Sequence, residues 1–224
     1  MTEDTKIETK GEKKKERKIE HEIMWIVGFA VVLVLIFLGT QQIVKWNTQF
    51  DYEGLHFTKT KIGKIPLYHY YYNFVDSQEN TIRYNMYLRT DPRKNDIPID
   101  RPVLMTTKLA YVALDLTSDL EGCSDSNLAV GDFALFLQQN QFAVKSGITN
   151  ESLADELGKD YVTCELKDTV EVFEITRGEE TRIESEGLCT KIIVGPDCEI
   201  LNAIEKLKVS IVSDARSRAQ GLIG

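Results

Sequence analysis

The residues able to do chemistry in this 224-residue chain are few. His21, His56 and His69 are its three histidines, and "HEIMW" at 21–25 lacks the second imidazole of an H-E-x-x-H metalloprotease helix. No G-x-S-x-G, G-x-x-x-x-G-K-[ST] or G-x-G-x-x-G run occurs, so the common nucleophile elbow and phosphate-cradling loops are missing. What remains is "LDLTSD", which puts Asp115, Thr117 and Asp119 at the end of an apolar strand. Ends of parallel strands are where open α/β sheets bind ligands, which makes Asp115 a candidate contact. A metal-dependent adhesion site needs D-x-S-x-S, and Asp119 occupies its last serine position; a phosphatase-type D-x-D needs an acid where Thr117 stands. The expectation is a strand-end turn residue, with no metal and no cofactor. A surface hydrolase or transferase using Asp115, Thr117 and His69 is the alternative.

A second set lies in "IPLYHYYYNF", where residues 68–74 hold four tyrosines, His69 and Phe74. With "TIRYNMYLR" it reads as a β-hairpin: a three-residue loop at 78–80 with Asn80 left-handed pairs Phe74 with Tyr84, Tyr72 with Met86 and Tyr70 with Leu88. Even positions from Tyr68 to Leu88 then form an apolar layer, and odd positions form a wettable face carrying His69, Tyr71, Arg83 and Tyr87. A two-residue slip preserves this division, whereas a one-residue slip exposes four aromatics, so burial fixes the parity. The run is mostly sheet core, since aromatics fit a pleated surface. Its odd face is the candidate ligand or partner surface, because tyrosine and arginine are favoured at binding hot spots; small-solute capture there is a further alternative.

The positioning elements follow. "IMWIVGFAVVLVLIFLGTQQIV" carries no ionisable group, and Trp25 and Trp46 lie 21 positions apart, roughly 31 Å of helix against a hydrocarbon thickness of about 30 Å. This reads as a membrane-spanning helix with an indole at each interface. A cleaved signal fits less well, since "FLGTQQ" offers no small-x-small site. Residues 1–22 hold seven Lys and Arg against Lys45 alone beyond the span, so the N-terminus is expected in the cytoplasm and the C-terminal domain outside the cell. Tail and span carry no net charge, so the formal charge of −8 lies beyond the span and argues against nucleic acid as a partner. Four basic residues in "RTDPRKNDIPIDRP" share that stretch with three aspartates and three prolines, which favours a solvated loop.

All four cysteines, Cys123, Cys164, Cys189 and Cys198, fall on the expected outside, which suggests two disulfides. Three pairings are open; sequence proximity favours Cys189 with Cys198 and Cys123 with Cys164. Asn150 in "NES" is a glycosylation candidate.

The expected organisation is a charged tail (1–22), a transmembrane helix (23–46), a linker (47–54), one exterior domain (55–217) and a short C-terminal tail (218–224). The fold class is α+β: an antiparallel hairpin region, then a mixed sheet packed by two or three helices. "LAYVALDLT", "DSNLAVGDFALFLQQNQ" and "FAVKSGI" form a β-α-β unit with a parallel pair. "TVEVFEITRGEETRIESEG" reads as a hairpin turning at "RGEE", and "DCEILNAIEKLKVSIVSDA" closes the fold as an amphipathic helix with Ile200, Ala203, Ile204, Leu207 and Ile211 inward.

The run "FDYEGLHFTKTKIGKIPLYHYYYNF…YNMYLRTDPRKNDIPID" behind an N-terminal span, with "YVTCE" and "CEILNAIEK" further on, resembles uncharacterised archaeal single-span membrane proteins. The resemblance implies an archaeal cell surface and carries no activity or site residues. The functional expectation is a non-enzymatic, membrane-anchored exterior domain held in the lipid bilayer by its helix and engaging another envelope or membrane protein.

Overall fold

The computed structural model describes residues 24–42, 48–76, 78–100, 107–166 and 169–221. The chain divides into two units, one ending at Gln49 and one running from Phe50 to Gly224.

The first unit holds α1 (Met24–Gln42), 19 residues with a mean hydropathy of 2.3. Its apolar side chains, Trp25 among them, are exposed all round, unlike a core helix, which turns one apolar stripe to its domain. At about 1.5 Å per residue it reaches roughly 28 Å, close to the hydrocarbon thickness of a bilayer. Trp46 lies outside the described residues.

The second unit is α+β, with two sheets and, among the described residues, three helices. The antiparallel sheet has the order β1-β2-β3-β4, from β1 (Gln49–Tyr52), β2 (Leu55–Ile62), β3 (Ile65–Val75) and β4 (Thr81–Leu88). β1 falls where a linker was expected; its Phe50 stacks on Phe57 of β2 at 5.6 Å, and Arg93 lies over the Phe50 ring at 3.8 Å.

β3 and β4 pair two residues away from the expected register, with Phe74 opposite Ile82, Tyr72 opposite Tyr84 and Tyr70 opposite Met86. The cause is the loop. Asp76 accepts the N–H groups of Gln78 and Asn80 at 2.8 Å each, which closes five residues rather than three, and Glu79 rather than Asn80 takes the left-handed conformation at φ 63°. Parity survives: Tyr68, Tyr70, Tyr84, Met86 and Leu88 are buried, while Tyr71, Asn73, Arg83, Asn85 and Tyr87 are exposed.

The mixed sheet has the order β7-β6-β5-β8-β10-β9, from β5 (Leu109–Leu114), β6 (Ala143–Ile148), β7 (Asp160–Tyr161), β8 (Glu171–Arg177), β9 (Arg182–Glu186) and β10 (Cys189–Val194). The expected β-α-β unit is β5, α2 (Ser126–Gln139) and β6, with β5 and β6 parallel. α3 (Glu151–Leu157) leads into β7 and is capped by Asn150, whose side chain accepts from Leu153 N–H at 3.0 Å. β8 and β9 do not form the expected hairpin. β10 lies between them, parallel to β8 and antiparallel to β9. The burial patterns give the reason: five of six residues of "CTKIIV" are buried, which demands an interior position, whereas "RIESE" alternates and suits an edge. The edge is closed by Asp100, whose N–H reaches Ile183 O at 3.2 Å and whose carboxylate accepts from Ser185 N–H at 2.8 Å.

Between the sheets lie α2 and α4 (Ile200–Ala219). Phe136 of α2 meets Tyr84 of the first sheet at 5.7 Å, and Phe133 of the same helix meets Phe173 of the second at 4.8 Å. The inward residues expected of α4, Ile200, Ala203, Ile204, Leu207 and Ile211, are all buried in this core.

The two disulfides are Cys123–Cys198 and Cys164–Cys189, which corrects the pairing favoured by sequence proximity. Cys189 opens β10 and Cys198 follows its far end, so roughly 16 Å of extended chain at about 3.3 Å per residue separates them, beyond the ~7 Å reach of a cystine. β5 and β10 run the same way on either side of β8, so the segments leaving them bring Cys123 and Cys198 to one edge, with Cα atoms 5.3 Å apart.

Candidate functional site

The outer face of the four-stranded sheet, turned away from the helix layer, gathers four of the five candidate contact residues. Direct pairing sets Tyr87 opposite His69 and Asn85 opposite Tyr71. The His69 ring stacks on Tyr87 at 4.6 Å between centroids and lies 6.0 Å from Tyr71, and its Nε2 is 3.0 Å from Asn85 Oδ1. The Arg83 guanidinium sits 3.7 Å over the Tyr71 ring. Among the described residues no carboxylate pairs with Arg83, so its charge is held by the ring face. Tyr71 and Tyr87 remain 50% and 47% exposed, and Ile65 and Val75 at the ends of β3 and Ile62 at the end of β2 are exposed as well. Val75 was expected on this face by its parity with His69 and Tyr71; Ile65, of the same parity, and Ile62, which pairs with it from β2, were missed by sequence reasoning.

This arrangement is suited to contact rather than proton transfer. His69 is stacked with Tyr87 and Tyr71, bonded to a neutral amide and, among the described residues, without a carboxylate to orient it, which is the positioned partner that a general base requires. Aromatic surface with a guanidinium stacked on it is instead the composition of interface hot spots.

Asp115, the fifth candidate, is elsewhere. It follows β5 at the C-terminal edge of the mixed sheet, where the chain turns towards β6 on one side while β8 pairs on the other, and the helix layer lies between it and the sheet bearing His69. This is the switch point at which open sheets bind ligands. Its carboxylate is already engaged: Oδ1 accepts from Thr117 N–H at 3.0 Å and from the Thr117 hydroxyl at 2.6 Å, and Oδ2 accepts from the Thr176 hydroxyl at 2.9 Å. Burial alone pushes its pKa up, but the hydrogen bonds from Thr117 and Thr176 together outweigh burial and hold it below the usual carboxylate range. Asp115 therefore closes a turn, as expected of a strand-end residue, and the hydrolase candidates Asp115, Thr117 and His69 do not form one site. Asp119 takes a left-handed backbone at φ 56°.

Sequence reasoning also missed Arg177, at the end of β8. Its Nη1 donates to Gly195 O at 2.9 Å and lies 2.8 and 3.2 Å from the sulfurs of Cys123 and Cys198. The "TRGEE" run read as a turn, and no sequence signal connects that arginine with the cystine.

A groove of ≈ 980 Å³ is walled by the Cys164–Cys189 disulfide and by charged side chains that pair with one another, Arg182 with Glu184 at 2.7 Å and Lys191 with Glu174 at 3.7 Å. Among the described residues no three His, Cys, Asp or Glu side chains group as a metal site.

No protein-family model matches the chain, and neither does any curated protein or solved structure.

Proposed function

We propose that this chain is a single-pass membrane protein with its N-terminus in the cytoplasm. Its α+β domain lies outside the cell, which the resemblance to archaeal single-span proteins would make an archaeal surface, and binds another envelope or membrane protein without catalysing a reaction. The observation that carries the reading is the outer face of the four-stranded sheet. Tyr71 and Tyr87 stand half exposed around His69, and Arg83 is held on Tyr71 without a carboxylate partner among the described residues. Aromatic and arginine anchors ordered before contact lose little side-chain entropy on binding. The anchor rests on the length and apolarity of α1, and the exterior placement on the two disulfides, which persist in oxidising compartments. The test is a photo-crosslinking amino acid placed at Tyr71, at Tyr87 and, as a control, at exposed Leu128 on α2, in cells expressing the full chain. One discrete adduct from the first two positions and none from the third is expected; equal yields from all three would remove the face from consideration.

A further inference from the structure

A second site lies on the opposite side of β3 and is independent of the outer face. There β3, the end of α2 and the last turns of α4 enclose a cleft of ≈ 560 Å³, within the roughly 300–1,000 Å³ of ligand pockets. Its walls are apolar: Phe74 on β3, Phe142 after α2, and Val212 and Ala215 on α4. The polar groups among them are mostly satisfied within the protein. The Tyr72 hydroxyl donates to Asn140 Oδ1, and Asn140 Nδ2 donates to Phe136 O at 2.7 Å.

Arg216 is the exception. Among the described residues its Nη1 reaches only the Tyr70 hydroxyl, at 3.3 Å, and it has no carboxylate partner, whereas Arg218 two positions on is paired with Asp214 at 2.8 Å. Basic residues in the last turn of a helix ordinarily serve its dipole. Arg216 instead turns across the cleft towards β3, which places an exposed cation with free donors at the edge of an apolar trough. An apolar wall with one unpaired cation is complementary to a molecule with a long apolar body and one negative end.

We propose that this cleft binds a single-chain amphiphile with an anionic head, carboxylate or phosphate, its tail along Phe74, Phe142 and Val212 and its head on Arg216. A charge-assisted hydrogen bond in such a place contributes roughly tenfold or more in affinity, so the head group rather than the tail decides selectivity.

The test uses the full chain in lipid nanodiscs and a clickable diazirine analogue of palmitate, with labelled peptides mapped by mass spectrometry. Label is expected on β3 around Phe74 and on α4 around Ala215. Oleate or dodecyl phosphate should compete about tenfold better than oleyl alcohol, and the better competitor of the two assigns the head as carboxylate or phosphate. Arg216→Gln should lower labelling about tenfold, while Arg182→Gln, on β9 and outside the cleft, leaves it unchanged. Ala215→Trp, at an exposed position, should abolish labelling by filling the cleft without lowering the melting temperature. The proposal is overturned if label falls only on α1, if oleyl alcohol competes equally, if Arg216→Gln labels like the wild type, or if labelling needs a variant ending at Gly221.

Discussion

Glu205, on α4, accepts the backbone N–H of Arg89 at 2.6 Å and that of Thr90 at 3.0 Å, 116 and 115 positions earlier in the chain. The buried carboxylate thus ends β4 in the way a side chain caps a helix, supplying the acceptor that the interrupted ladder no longer offers. Around it Thr90 donates to Asn202 Oδ1 at 2.6 Å and Asn95 donates to Asn202 O at 2.8 Å, so the "RTDPRKND" stretch expected as a solvated loop is tied to α4. One turn on, fully buried Lys208 pairs with Asp132 of α2 at 2.6 Å. Glu205→Ala removes the acceptor for two N–H groups and the negative neighbour of Lys208, and should lower unfolding free energy by about 3 kcal/mol in urea titrations, with Glu205→Gln milder because it keeps one acceptor.

Two carboxylates should give opposite pH slopes. Burial raises the Glu205 pKa, and the hydrogen bonds from Arg89 and Thr90 only partly offset it. The native state therefore binds the proton first; its stability relative to Glu205→Gln is greatest below the ordinary glutamate range and falls as pH rises through the folded value. The Asp115 pKa is held low in the folded state, so its contribution is present above the ordinary aspartate range and is lost as pH falls through the folded value. Urea midpoints measured across an acid pH series should show the wild type gaining on Glu205→Gln and losing on Asp115→Asn as pH drops. Parallel curves for both pairs would contradict the assignment.

The contrast between what sequence revealed and what it hid has a physical basis. Period-two alternation fixes which face each β3 and β4 residue takes, because a one-residue slip would expose Tyr70 and Tyr72, whereas the two-residue slip changes no burial and depends on Asp76 folding the loop. The stacked group of His69, Tyr71, Arg83 and Tyr87 was therefore legible from parity alone. The place of β10 was not, since "RGEE" reads as a local turn and only competition for the sheet interior, won by "CTKIIV", separates β8 from β9. The cystines follow from that insertion, as do the contacts of Arg177.

The pairing makes a testable difference in loop length. Cys123–Cys198 spans 75 positions and Cys164–Cys189 spans 25. In the chain-entropy account these correspond to about 4.5 and about 3.5 kcal/mol of constraint on the unfolded chain. Non-reducing peptide mapping should recover these two cross-linked pairs, and the Cys123→Ser/Cys198→Ser double variant should lose more stability than Cys164→Ser/Cys189→Ser.

Membrane insertion is checked on α1 itself. Leu33 lies in the middle of the helix with its side chain outward, and lysine at such a depth opposes insertion by roughly 2.5–3.5 kcal/mol. Leu33→Lys should move a large share of the chain from the carbonate-resistant pellet to the soluble fraction, while Thr40→Ser, which retains the hydroxyl bonded to Phe37 O at 2.8 Å, should remain in the pellet. A wild-type chain released by carbonate would show that α1 does not anchor it.

The outer sheet face separates stability from binding. Tyr71, Arg83 and Tyr87 are exposed and contribute little to the core, so each alanine substitution should change unfolding free energy by no more than about 0.5–1 kcal/mol. If the face is a hot spot, the same substitutions should weaken partner capture by about 2 kcal/mol, roughly thirtyfold. Tyr70→Ala, one position away on the buried side, should do the reverse: it leaves the face chemistry intact but opens a cavity beside Phe57 and Tyr72 and destabilises the domain by about 3–5 kcal/mol. Quantitative cross-linking yield from position 87, measured beside thermal melts of the same variants, tests both halves. Alternation along one strand is what makes the two effects separable: neighbouring tyrosines, with one chemistry and one backbone, differ only in the side of the sheet they face.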